Sequence, residues 1–129
     1  MTAPHRLDQL VAQTRLTAID FVYVHPDQTT LDVFFVVGPE AVTPTPLTAD
    51  LALPRIHLDS LEPGQPVPQL TSLAWPTVEG RVVARLTASA PGGFAYYRLR
   101  IDDPRLDPFF ADHGRFSFKA ACPSPLDCA

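Results

Sequence analysis

From residue 19 onward, apolar and polar positions alternate in short runs. A period of two is the mark of a strand with one face toward a core. Residues 19–25 (Ile-Asp-Phe-Val-Tyr-Val-His) and 31–37 (Leu-Asp-Val-Phe-Phe-Val-Val) are two such runs, and Pro26-Asp-Gln-Thr-Thr30 between them reads as a hairpin loop. In the second run Leu31, Val33, Phe35 and Val37 share one face. Phe34 and Val36 lie on the other, so both faces are expected to be at least partly covered. Ile56 and Leu58 mark a short strand, and residues 70–75 a weaker one. Further on, Val82, Ala84 and Leu86 alternate with Arg81, Val83, Arg85 and Thr87; Tyr97, Leu99 and Ile101 alternate with Tyr96, Arg98 and Arg100. The intervening Ser89-Ala-Pro-Gly-Gly93 carries turn chemistry, which predicts a hairpin of residues 81–88 with 95–101. Residues 115–120 close the sheet. The predicted core holds Phe21, Val33, Phe35, Leu86, Leu99, Phe116 and Phe118. Ahead of the strands, Leu7, Leu10 and Val11 share a helical face with Ala18. The spacing predicts a short helix over 6–17, which either docks or serves as a lead-in, because a helix this short is not stable alone.

About seven short strands with proline and glycine punctuation define an all-β chain. The expected fold is an antiparallel β-sandwich of immunoglobulin or fibronectin III type, with a short N-terminal helix. Composition strengthens this. Fifteen prolines and only 6 glycines mean many short elements joined by stiff turns, which disfavours a helical bundle. Trp75 precedes both cysteines, so the Cys…Trp…Cys order of antibody domains is absent. The expected division is a lead-in at 1–17, a sandwich at 18–121 and a Cys-Pro junction or tail at 122–129. The last strand runs straight into Cys122-Pro-Ser-Pro-Leu-Asp-Cys128, which suggests a module that leads into a larger protein.

The net charge is −4 and the pI about 5.4, which argues against nucleic acid or an anionic membrane as main partner. No apolar run approaches the roughly 20 residues of a membrane span. The N-terminus lacks the basic-then-apolar order of a signal peptide, so synthesis and folding are expected in the cytoplasm. Gly-x-Ser-x-Gly, the P-loop and the dinucleotide fingerprint are missing, and the 4 histidines never pair at helical metal spacing. The expectation is no catalysis and no cofactor.

Three clusters have both a chemical and a bland reading. Cys122 and Cys128 cannot complete a four-ligand zinc site, and His113 joins them only if folding brings it near. A local disulfide is limited by Pro123 and Pro125 and by the cytosol. Reduced thiols in a tail are the default. Asp102, Asp103, Asp107 and Asp112 crowd one loop, where they either offer oxygen ligands to calcium or start turns at Asp103-Pro and Asp107-Pro. Arg81, Arg85, Arg98 and Arg100 project from the outer face of the expected hairpin. They form either a surface for an acidic partner or a solvated face with Asp and Glu nearby.

Three stretches together resemble a known family: residues 18–35, residues 91–101, and Leu106-Asp-Pro-Phe-Phe continuing to Phe116-Ser-Phe-Lys-Ala-Ala-Cys-Pro-Ser-Pro-Leu-Asp-Cys128. They look like the N-terminal domain of the baseplate assembly protein, a baseplate J-like wedge component, of phage-tail-like contractile injection systems. The resemblance covers about residues 18–128 and is strongest in the last segment. It implies a structural part of a multi-subunit particle, assembled in the cytoplasm and in some systems released. The implied partners are other baseplate, spike hub and sheath proteins, and there are no catalytic residues to carry over. Arg81, Arg85, Arg98, Arg100, Cys122 and Cys128 are the candidate partner contacts. The competing expectation is a free-standing adhesive sandwich that binds carbohydrate or a surface receptor through Trp75, Tyr23 and Tyr96. Pro123 and Pro125 disfavour helix and central strand in the tail. Deleting residues 122–129 should therefore lower the melting temperature by less than about 8 °C; a larger drop in a thermal scan would show that the tail packs on the sandwich.

Overall fold

The structure is a computed structural model, and it describes residues 15–107 and 112–119. Nine strands lie within them: β1 (Ile19–Val24), β2 (Thr30–Phe35), β3 (Ile56–Ser60), β4 (Leu70–Ala74), β5 (Thr77–Val78), β6 (Arg81–Val82), β7 (Ala84–Ala88), β8 (Tyr97–Ile101) and β9 (Arg115–Phe116). One helical turn, α1 (Leu47–Asp50), sits in the proline-rich connection between β2 and β3. A four-stranded sheet runs β1-β2-β7-β4, a three-stranded sheet runs β3-β8-β9, and β5-β6 form a separate ribbon. All strand pairings are antiparallel.

The alternating side chains explain the two layers. Leu31, Val33, Ala84, Leu86 and Ala88 from the first sheet join Ile56, Tyr97, Leu99, Ile101 and Phe116 from the second in one buried cluster. Phe118 lies just past β9 and is buried with them, its ring 5.0 Å from Tyr97 and 5.1 Å from Phe116. The arrangement is an antiparallel β-sandwich, as the period-two pattern predicts.

The β1–β2 hairpin is as expected, and its loop is held by local chemistry. Asp27 accepts the N–H of Thr29 and Thr30, each at 2.9 Å, and the Thr30 hydroxyl at 2.7 Å. Gln28 takes φ 63° in the turn and donates its N–H to the His25 carbonyl. The expected core position of Phe21 is wrong. The register slips between Ile19 and Phe21, so Ile19 stays inside while Phe21 turns outward and is 43% exposed.

The expected hairpin of residues 81–88 with 95–101 does not form. β7 pairs with β2 and β4, whereas β8 pairs with β3 and β9. The reason lies in the buried faces: Ala84, Leu86 and Ala88 must oppose Tyr97, Leu99 and Ile101 across the core. Paired in one hairpin, all six would line a single sheet face with nothing to cover it. The connection instead crosses between the layers. Gly92 in it has no room for a Cβ, which would run into the Phe118 and Tyr97 rings. The Tyr97 hydroxyl donates to the Pro66 carbonyl at 2.6 Å and accepts the Gly93 N–H at 2.8 Å, so it ties two loops to the core.

Two smaller differences follow local chemistry. Residues 81–88 are broken at Val83, because Glu79 (φ 50°) and Gly80 (φ 78°) close a two-residue hairpin between β5 and β6. Most of the expected helix lies outside the described residues, and its last residue is not helical. Thr17 is fully buried, bridges Leu106, and exchanges hydrogen bonds with Val37: its hydroxyl donates to the carbonyl at 2.6 Å and accepts the N–H at 3.1 Å. The fold therefore takes in a residue that the pattern assigns to the lead-in.

Phe116→Ala removes a ring that is 6% exposed and packs on Tyr97 and Phe118. It should cost about 3–5 kcal/mol in denaturant unfolding; a loss under about 1 kcal/mol would place the ring outside the core.

Candidate assembly surface

β2 is covered on both sides, and the outer side is where polar chemistry gathers. Leu31, Val33 and Phe35 face the core, while Asp32 and Phe34 point outward yet are also buried. Asp32 is 1% exposed. Arg85 on β7 reaches it with two bonds, Nε to Oδ1 at 2.8 Å and Nη2 to Oδ2 at 3.0 Å. The His25 Nε2 lies 2.7 Å from Oδ2. Burial alone would raise the carboxyl pKa. The hydrogen bonds from Arg85 and then His25 outweigh that and hold it below the ordinary range.

Phe34 is covered differently. Its ring stacks on Phe21 with centroids 4.4 Å apart and planes 12° from parallel. Arg81 lies 5.1 Å over Phe34 and 5.8 Å over Phe21, and its Nη2 donates to the Phe35 carbonyl at 2.6 Å and to Asp20 at 3.0 Å.

The four arginines of the expected outer face are thus not one patch. Arg81 and Arg85 belong to β6 and β7; Arg98 and Arg100 lie on β8 in the other sheet. Arg98 donates to Asp112 at 3.1 Å, and its Nε is buried without a partner among the described residues. Arg100 is exposed, opposite His57 on β3. Cys122 and Cys128 lie outside the described residues, so their chemistry stays with the sequence reading.

The aspartates of the 102–112 loop do not converge. Asp103 is buried and accepts Arg105 Nη2 at 2.7 Å, Arg105 Nε at 2.8 Å and Arg55 Nη1 at 3.3 Å. The Arg105 side chain is the main cause of its lowered pKa. Arg105 also reaches Asp50 in α1 at 2.7 Å and the carbonyls of Thr45 and Pro46. Among the described residues no three His, Cys, Asp or Glu side chains gather as metal ligands, and no helix is long and apolar enough to cross a membrane.

Exposed aromatic surface collects elsewhere, in an open groove of about 840 Å³ between β1 and β9. Val22, Val24, Ala95 and Phe116 supply its apolar part, and Tyr23, Phe94 and Tyr96 flank it. These three aromatics are 48%, 42% and 51% exposed. Arg115 lies 4.3 Å over Tyr96 and Lys119 lies 5.4 Å over Phe94. Of the aromatics expected to carry adhesion, Tyr23 and Tyr96 line this groove. Trp75 instead packs on Phe35, with centroids 6.2 Å apart. Sequence reasoning missed Phe94, Arg115 and Lys119 because the groove joins two sheets. The alternation Phe116/Phe118 against Ser117/Lys119 was the available signal for Lys119 facing outward.

The described residues thus form a small antiparallel sandwich with a polar cluster on one sheet and an aromatic groove at its edge. The chain matches the family model described as phage baseplate assembly protein, N-terminal domain, over residues 1–114, and it belongs to that family. No curated protein and no solved structure matches it. The match includes residues 1–17, which the resemblance leaves out. It ends before residues 116–128, where the resemblance is strongest.

The carboxyls of Asp32 and Asp103 are both held below their ordinary range, and Asp27 is lowered to about 2 by the Thr30 hydroxyl and the Thr29 and Thr30 N–H groups. A depressed folded pKa contributes stability that is complete above the unfolded value of about 3.9 and is lost as pH falls through the folded value. Melting temperature should therefore fall between about pH 5 and about pH 2. Asp32→Ala should cost about 1.5–3 kcal/mol at neutral pH and make that acid decline shallower, both readable by calorimetry. An unchanged acid profile would show that Asp32 does not contribute.

Proposed function

We propose that this chain is a structural module of a baseplate in a phage-tail-like contractile particle, where it helps assemble the wedge that joins spike hub to sheath. The observation that carries this is the family membership over residues 1–114. The groove between β1 and β9 supports it, since exposed aromatics beside cations that have no carboxylate partner among the described residues suit a protein interface. Synthesis and assembly take place in the cytoplasm, and the finished particle carries the domain outward. Its role is mechanical, with no reaction of its own.

We also infer that the sandwich is of immunoglobulin constant type. If β1, β2, β3, β4, β7, β8 and β9 are lettered A to G, the two sheets read A-B-E-D and C-F-G. Residues 18–121, together with the buried Thr17, then form the sandwich unit behind the lead-in. Residues 122–129, with Pro123 and Pro125, act as a stiff junction, and Cys122 and Cys128 lie at that joint. Of the four outer arginines, Arg100 is the best placed to meet an acidic partner, because Arg81, Arg85 and Arg98 already hold carboxylates.

Co-expression with sheath, tube, hub and wedge proteins of a phage-tail-like particle from the same genome tests the function. The expected result is a stoichiometric complex with at least one baseplate protein on size exclusion. A chain that stays alone with every one of them, yet binds a sugar on a glycan array through Tyr23 and Tyr96, would replace this reading with the adhesive one.

A further inference from the structure

The groove is bounded by two strand edges whose backbone groups face outward. The His25 N–H donates to the Thr30 carbonyl, and antiparallel pairs alternate between bonded and non-bonded. Counting along the β1–β2 register, Phe21 and Tyr23 bond to β2, so Val22 and Val24 turn their N–H and C=O away from it. The same count applies on the other side. The Leu61 N–H bonds the Tyr96 carbonyl, so Tyr96 and Arg98 face β3, and Tyr97 faces Phe116 of β9. The backbone of Arg115 and Ser117 therefore also points outward. β1 and β9 are not paired with each other. His113 closes one end by donating from Nδ1 to the Asp20 carbonyl at 3.0 Å.

An open strand edge is a template for another strand. The charges say which kind. Arg115 and Lys119 lie over aromatic rings and have no carboxylate partner among the described residues. Lys119 donates to the neutral Gln28 side chain at 2.8 Å. Glu62, the carboxylate among the described lining residues, accepts the Tyr96 N–H at 3.2 Å. With Arg115 and Lys119 against Glu62, the described lining is locally cationic on a chain of net charge −4.

We propose that the groove receives an extended acidic segment of a neighbouring baseplate protein. The segment bonds backbone to backbone along Val22 and Val24 and places a carboxylate on Arg115. Alternate side chains of the segment enter the apolar part beside Phe116, and the others meet Tyr23 and Tyr96. This rests on the baseplate reading and deepens it by naming the surface and the chemistry of the partner.

The test uses the full chain and, as probes, purified baseplate proteins from the same genome, one at a time. Val24→Pro removes an N–H that points away from β2, so the β1–β2 ladder survives. Arg115→Glu reverses the groove charge. One baseplate protein should bind the wild type, and each variant should weaken that binding at least about tenfold while still melting as a folded domain, Val24→Pro at a lower temperature because Val24 also packs on the core. Exchanging the matching acidic residue of the partner for Lys should restore binding to Arg115→Glu. Hydrogen exchange on the unmodified chain gives an independent readout: the Val22 and Val24 amides should slow in the complex.

If the wild type binds but both variants bind equally well, or those amides exchange at the free rate in the complex, the groove inference is wrong and the baseplate reading stands. Binding that appears only after residues 120–129 are removed would make the chain's own tail the occupant. Self-association abolished by Val24→Pro would make a second copy the occupant. Either result overturns the proposal. Binding to none of the baseplate proteins sinks the baseplate reading itself, and this inference with it.

Discussion

A carboxylate closed off from water in the middle of the first sheet governs the outer layer. Asp32 sits on β2, between β1 and β7, with 1% of its surface exposed. A buried charge is tolerated only when paired and hydrogen-bonded. Arg85 must therefore come from β7 and His25 from the end of β1, which fixes how all three strands pair. Phe34, the other outward residue of β2, needs apolar cover, and Phe21 with Arg81 supplies it. The polar face of this sheet is thus organised by what lies beneath it.

That organisation explains what the sequence makes legible. Each strand that buries one face announces itself by alternation, and Ala84, Leu86, Tyr97, Leu99, Ile101 and Phe116 all lie inside as the pattern requires. Pairing partners are not local information. The alternation of residues 81–88 and 95–101 is the same whether they share a sheet or oppose one another across a core, and the Gly-Gly turn favours the wrong choice. Phe21 is misread for a related reason, since one irregular step at Asp20 swaps the faces of everything before it. Asp32 stands among apolar neighbours, which hints at a special role, but its partner Arg85 is 53 residues away and becomes visible only through the pairing.

The groove was the least legible part. Val22 and Val24 read as ordinary strand positions, and Phe94 and Tyr96 as turn and strand residues. Their association depends on two edges from different sheets lying side by side. Arginines were the natural candidates for contact because they are charged and numerous. In the fold, Arg81, Arg85 and Arg98 are occupied with intramolecular carboxylates, and the cations at the groove that have none among the described residues are Arg115 and Lys119.

Arg105 joins two irregular stretches with one side chain. It holds Asp103 beside it, Asp50 in α1 and the carbonyls of Thr45 and Pro46. The long excursion after β2 and the bend after β8 therefore share a common pin, which Arg55 reinforces through its own bonds to Asp103 and Asp102. Under mechanical load these two stretches would move as one rigid corner, and force entering at either would pass to the other mainly through two guanidinium groups that converge on one buried carboxylate.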